Sequence, residues 1–293
     1  MTLTGLYIPL ITPFDATGAV ALDALEALAH QVLDGGATGA VALGTTAEPS
    51  SLTGAEQHAV VDVAARVCRE RDAQLLVGAA TPLALDVLRD RPEVVAALSV
   101  VPPFVRPGEA GVLAHFDRLA ALSSVPLVIY HVPYRTGQRL SADALRRLGA
   151  RPGIAGIKYS GGGIDDDTIA LMADLPTDFA VLGGDDAVIS PLLALGAHGA
   201  ILASAHVATA HFVELIEAWR AGDVTRARPL GHRLATLSQA LFAEPNPTVI
   251  KAVLHARGFI PTADVRLPLL PAHPETARSA LRHARGFSMA SPR

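Results

Sequence analysis

The chain has 293 residues, half of them hydrophobic and 18% charged, with a mean hydropathy of +0.35, a net charge of −4 and a pI near 6.2. That composition builds a large core and excludes a disordered chain, and no basic run supports nucleic-acid binding. A single cysteine, Cys68, excludes an intramolecular disulfide framework and a multi-cysteine zinc site.

Taken in order, strand-like and helix-like segments alternate. Residues 6–11 read as an apolar strand ending at Thr12-Pro13. Residues 23–33 follow with apolar positions at helical spacing, and Gly35-Gly36 stops them. Residues 39–43 form a short continuous apolar run, as expected of a strand buried on both faces. Thr53, with Glu56 three residues on, predicts a capping box and a helix to about residue 71. The amphipathic pattern of that helix makes Cys68 a packed small hydrophobe. Strands are predicted at 74–77, 94–101, 126–130, 154–160, 179–182 and 199–202. The helices between and after them are predicted at 82–90, 108–122, 142–148 behind a Ser141 cap, 165–173, 187–195 and 207–221.

Eight strand–helix units in strict alternation imply a parallel sheet, and eight is the count of an α/β (β/α)8 TIM barrel. A doubly wound open sheet is the rival, but no G-x-G-x-x-G follows the first strand. Residues 1–222 are therefore expected to form the barrel. Helical patterns at 224–242, 248–257 and 276–284 make residues 223–293 an expected C-terminal helical bundle packed on it. The first residues lack a basic segment and a long apolar run, so no secretory signal is expected. No apolar run is long enough for a membrane span. The expected location is cytoplasmic.

A TIM barrel carries its active site at the C-terminal ends of its strands. Polar side chains gather there: Thr45, Thr46 and Glu48 after the second strand, Tyr130 and then Arg135 after the fifth, Lys158 on the sixth, Asp185 and Asp186 after the seventh. Lys158 stands out because only it and Lys251 are lysines among the 24 Lys and Arg residues. Burial disfavours the ammonium form, and a neutral amine attacks carbonyls to form imines. The plain alternative is a lysine that snorkels out of the strand end. A phenol such as Tyr130 can shuttle the protons of imine formation. Paired threonines can hold a carboxylate, and Arg135 can grip a second one bidentately. Each of these has an ordinary reading too: a core tyrosine, turn threonines, a surface arginine. Asp185-Asp186 resemble a metal pair but stand before a helix, so they are expected to cap it. The 11 histidines show no metal-ligand spacing, and no metal is assigned. His131, beside Tyr130, is expected to be a hydrogen-bond partner.

Together these segments resemble the dihydrodipicolinate synthase/N-acetylneuraminate lyase family of pyruvate-dependent class I aldolases, in order along most of the chain. Thr12-Pro13-Phe14 looks like the family's opening motif. Gly44-Thr45-Thr46-Ala47-Glu48 is similar to G-T-T-G-E, and Tyr130 to Gly137 is similar to Y-N-x-P-x-R-T-G. Gly156-Ile157-Lys158-Tyr159-Ser160 resembles G-x-K-(D/E)-(S/A), and Gly183-Gly184-Asp185-Asp186 resembles G-x-D-D. Gly196 to Ile201 and Glu244-Pro245-Asn246-Pro247 complete the series.

The resemblance implies a Schiff-base lysine at Lys158, with Tyr130 as proton donor and acceptor and Thr45 in the proton relay. It implies pyruvate binding by Thr46 and the Ile201 backbone, and a second-substrate carboxylate on Arg135. It implies no cofactor, small 2-keto acid and aldehyde substrates, and a homo-oligomer, tetramer or dimer. Arg135 favours the synthase branch, which joins pyruvate to aspartate semialdehyde in lysine biosynthesis. An aldolase for a sugar-derived 2-keto acid, of N-acetylneuraminate or 2-keto-3-deoxygluconate type, is one alternative. A catalytically inactive barrel that binds a small acid is another. Three features depart from the pattern. Phe104, in Val101-Pro102-Pro103-Phe104-Val105, stands where the family's relay usually has a neighbouring subunit's tyrosine, and it has no hydroxyl. Ala47 replaces a glycine and is expected to crowd its turn. The segment between residues 77 and 94 is short.

Overall fold

The computed structural model describes residues 2–89 and 91–287. The predicted end of the third helix at residue 90 and the last six residues of the C-terminal extension lie outside the described residues. The order is β1 (Gly5–Pro9), α1 (Leu22–Asp34), β2 (Gly39–Ala42), α2 (Gly54–Glu70), β3 (Gln74–Gly78), α3 (Pro82–Asp86), β4 (Val94–Val100) and α4 (Gly108–Leu122). It continues with β5 (Leu127–His131), α5 (Pro133–Thr136), α6 (Ala142–Gly149), β6 (Ile154–Tyr159), α7 (Asp166–Ala173), β7 (Ala180–Gly183), α8 (Ile189–Ala194), β8 (Gly199–Ile201) and α9 (Ala205–Arg220). Every strand pairs in parallel with the next, and β8 returns to β1, where Tyr7 stands opposite both Gly39 and Ile201. The result is a closed (β/α)8 barrel, as the alternation predicts.

The barrel has two apolar cores because successive strand residues point to opposite faces. Tyr7, Val41, Leu76, Leu98, Val128 and Leu182 fill the interior. Their neighbours Ile8, Leu75, Ala97, Ile129, Ile157 and Val181 pack outward, in the layer under the helices. Both faces are buried, which is why the strands read as unbroken apolar runs rather than alternating ones. This two-sided register fixes the site: on β5, Tyr130 belongs to the interior core, and on β6, Tyr159 belongs to the outer one.

Local signals explain the helix starts. Thr53 accepts the Glu56 N–H at 3.2 Å, and the Glu56 carboxylate accepts the Thr53 N–H at 2.8 Å, so the capping box on α2 is complete. Ser141 caps α6 through the Ala144 N–H. The short third unit leaves α3 only five residues. After the barrel come α10 (Val224–Leu241), α11 (Thr248–Ala256) and α12 (Pro274–Ala284). α10 packs on α8, α9 and α12, and α11 on α9 and α12. No helix among the described residues is long and apolar enough to cross a membrane.

Candidate active site

At the C-terminal mouth of the barrel lies a cavity of about 340 Å³. Lys158, Tyr130, Thr45, Thr46, Arg135 and Ile201 all line it. The register explains the meeting of the first two: Tyr130 on β5 is the direct partner of Lys158 on β6. Both are buried, and the Lys158 Nζ sits 4.4 Å from the centre of the Tyr130 ring. Lys158 does not snorkel; its amine ends inside the mouth, at 7% exposure for the whole residue. Gly184, on the next strand end, makes the space. A Cβ there would lie 2.7–2.8 Å from the Lys158 stem and against the Ser160 hydroxyl. Ile201 is the last residue of β8 and faces the interior.

Thr45 and Thr46 belong to a single 3-10 turn, Thr45–Ala47, that follows β2. Thr45 is exposed at the mouth and Thr46 is buried. The Thr46 hydroxyl accepts Asn246 Nδ2 at 2.9 Å, and the Ala47 carbonyl accepts the Thr12 hydroxyl at 2.8 Å. The left-handed residues around this turn are Leu43 and Glu48, at φ of 52° and 54°. Ala47 is not among them, so its Cβ carries no left-handed strain. Arg135 is exposed at the rim, with its guanidinium 5.9 Å from the Tyr134 ring centre. A second cavity of about 520 Å³ adjoins the first and shares Thr45, Tyr130, Arg135 and Asn246 with it.

Two expectations need correction, the capping by Asp185 and Asp186 and the partnership of His131. Asp185 and Asp186 do not cap the following helix, whose start has no side-chain cap bond. Asp185 instead accepts the Tyr134 hydroxyl at 3.3 Å and the Gly162 N–H at 2.7 Å, tying the loops after β5 and β6 together beside Lys158. Asp186 is buried and accepts the Ser204 N–H at 2.6 Å. Burial pushes both carboxyls up, Asp186 to about 6. His131 is not a partner for Tyr130, because the strand turns it to the outer face, where its ring lies 5.6 Å from that of Tyr159. Burial pushes His131 down to about 4, so it is neutral at pH 7. Glu48 lines the second cavity, with its carboxylate held in an ion pair with Lys251 at 2.6 Å. Phe104 stands 94% exposed on the loop after β4, at φ of 71°, and does not line the Lys158 cavity.

Sequence reasoning missed part of the lining. Tyr134, Asn246, Ser238, Gln239 and Phe242 also face the cavity, and all but Tyr134 come from the C-terminal extension. Their only sequence signal was the Glu244-Pro245-Asn246-Pro247 segment, which carries no spacing that ties it to β2. Among the described residues, no group of three or more His, Cys, Asp or Glu has metal-holding geometry.

The chain is similar to known proteins along nearly its whole length. A model of the dihydrodipicolinate synthetase family matches residues 2–284. A 4-hydroxy-tetrahydrodipicolinate synthase of Synechococcus elongatus is 35% identical over 283 residues, covering 91% of this chain and 90% of the relative. One from Clostridium acetobutylicum is 34% identical, covering 92% and 96%. Among solved structures, the dihydrodipicolinate synthase of Acinetobacter baumannii, complexed with pyruvate, superposes with a TM-score of 0.90 at 33% identity, covering 97% of this chain and 99% of that one. The Thermotoga maritima enzyme gives 0.91 at 27% identity, with the same coverage.

Proposed function

The chain belongs to the dihydrodipicolinate synthetase family, and from that premise we propose that it is a 4-hydroxy-tetrahydrodipicolinate synthase, a Schiff-base lyase that joins pyruvate to aspartate semialdehyde. One observation carries the reading: a buried lysine and a buried tyrosine are direct cross-strand partners inside the barrel mouth, and both open on one cavity.

The Lys158 amine attacks the keto carbon of pyruvate, forming a C–N bond while the carbonyl oxygen takes a proton. The resulting carbinolamine loses water to give an iminium. That cation draws electrons from the neighbouring C–H bond, so the methyl group gives up a proton and becomes an enamine. The enamine carbon then attacks the aldehyde carbon, and the aldehyde oxygen takes a proton. The attack leaves an iminium on Lys158, and the second substrate's amino group adds to its carbon and displaces the lysine amine, which frees the product and the enzyme. The Tyr130 phenol, beside the amine, gives and takes the protons that these steps move at the carbinolamine and aldehyde oxygens and at the methyl carbon. Thr45, at the exposed side of the turn, passes protons on. Thr46 and the Ile201 backbone hold the pyruvate carboxylate, and Arg135 at the rim receives the carboxylate of the second substrate. The iminium is the electron sink, so the proposed reaction calls on no metal or organic cofactor.

Incubation with pyruvate, borohydride reduction and peptide mass spectrometry test the reading. The adduct should map to Lys158 and vanish in Lys158→Ala, and the wild-type protein should turn over aspartate semialdehyde. An unmodified Lys158 would overturn the Schiff-base role. An adduct without semialdehyde turnover would reassign the acceptor to a sugar-derived keto acid's aldehyde. The same reading takes residues 1–222 as the barrel and 223–293 as its helical appendage, in a cytoplasmic homo-oligomer. Exposed apolar side chains at Phe104, Val105, Leu267 and Leu270 support assembly. Light scattering on the purified protein checks the state, which matters because one structural relative is described as a monomeric variant.

A further inference from the structure

Lys251 is the other lysine of the chain, and the proposed reaction does not use it. It sits on α11 with no exposure. Its Nζ donates to Glu48 Oε1 at 2.6 Å and to the Asp264 carbonyl at 2.8 Å, and it lies 4.0 Å from the centre of the Phe14 ring. The second oxygen of Glu48 accepts the Arg266 N–H at 2.8 Å. The Arg266 guanidinium pairs with both oxygens of Glu56 and donates to the carbonyls of Ser51 and Gly18. A buried ion pair of this kind is weak support for stability, since well-packed apolar side chains of the same volume serve as well. What such a pair does supply is a fixed position for whatever carries each partner.

Here one partner is carried by the keto-acid turn. Glu48 follows Thr45–Ala47 directly and is itself left-handed, a conformation that a glutamate leaves readily unless it is held. Three consecutive residues are gripped: Thr46 by Asn246, Ala47 by Thr12, Glu48 by Lys251. Two of those grips come from the C-terminal extension.

We infer that Lys251, acting through Glu48, is a positioning residue that sets the turn presenting Thr46 to the carboxylate of the 2-keto acid. The inference rests on the Schiff-base reading above. Lys251 touches neither substrate nor the reacting atoms; it fixes the geometry of the end of the cavity where the keto acid is held. Its loss therefore weakens capture of the keto acid and leaves the second substrate, held at the rim by Arg135, largely untouched.

Lys251→Met, Glu48→Gln and the double variant test this. The measurements are the melting temperature, the pyruvate concentration that half-saturates borohydride trapping at Lys158, and steady-state constants for both substrates. Folded Lys251→Met should need at least tenfold more pyruvate for half-trapping. Its kcat at saturating pyruvate should fall less than threefold, and the KM for the second substrate should stay within twofold. The double variant should be no worse than Lys251→Met alone, because the two side chains act as one device. If Lys251→Met does not fold, Glu48→Gln, which keeps an acceptor for Arg266, carries the same expectation. Wild-type half-saturation in a folded variant would overturn the positioning role, as would an equal loss in both substrates. If the wild-type protein itself gives no adduct, the Schiff-base reading fails first and takes the inference with it.

Discussion

Lys158 and Tyr130 owe their encounter to register: they are cross-strand partners on neighbouring parallel strands and both fall on the inward face. Tyr130→Phe keeps the ring packing and removes only the proton. It should lower turnover by roughly 10²–10⁴-fold, with the pyruvate concentration for half-trapping changed little, because the role proposed for the phenol is in the transition state rather than in binding. Gly184→Ala tests the space beside the amine. The added Cβ would displace the Lys158 stem, so imine trapping should slow about tenfold or more, because the reacting amine is misplaced. Asp186 tests burial. Its folded pKa of about 6 lies above the ordinary value of 3.8, so between those values the folded state keeps a proton that the unfolded chain has lost. Its contribution to stability is therefore greatest below the unfolded pKa and falls as pH rises through 6. Denaturant melts from pH 4 to 7 should show this as on the order of 2 kcal/mol, and Asp186→Asn should flatten the slope. At this scale the sequence was legible where a residue type was rare in its setting, as with Lys158. The same scarcity marked Lys251, but nothing local announced its partner: a lysine in the run Thr248–Ala256 looks like any solvated helix position until Glu48 is brought to it.

At the scale of elements, the strands and most helices could be read because each is written in local chemistry. The capping box on α2 is one case. Thr53→Ala removes the acceptor for the Glu56 N–H and should cost about 1 kcal/mol, read as a lower denaturant midpoint at unchanged slope, with activity retained because α2 starts outside the Lys158 cavity. What local chemistry cannot tell is which face a polar strand residue takes. Tyr130 and His131 are adjacent and equally plausible in the cavity; only the pleat, fixed by Val128 inside and Ile129 outside, separates them. Asp185 and Asp186 likewise carry the composition of a cap. Their oxygens turn instead to Tyr134, Gly162 and Ser204, groups delivered by three other loops.

For the whole molecule, eight repeats of strand and helix made the barrel legible, since that count in parallel order closes on itself. The C-terminal extension was legible as helices but not as part of the site. Its contacts with the turn after β2 join Asn246 to Thr46 and Lys251 to Glu48, 200 and 203 positions apart. Pairings of that separation leave no periodic trace in sequence, and each must bear the entropy of closing a long loop. Synthesis runs in the opposite direction to that dependence. A ribosome delivers β1 through β8 before it delivers Asn246 or Lys251, and chains fold from the N-terminus as they emerge. On the proposed reading, a nascent chain released before Asn246 and Lys251 has an ungripped turn, and should trap pyruvate at Lys158 less readily than the full-length protein.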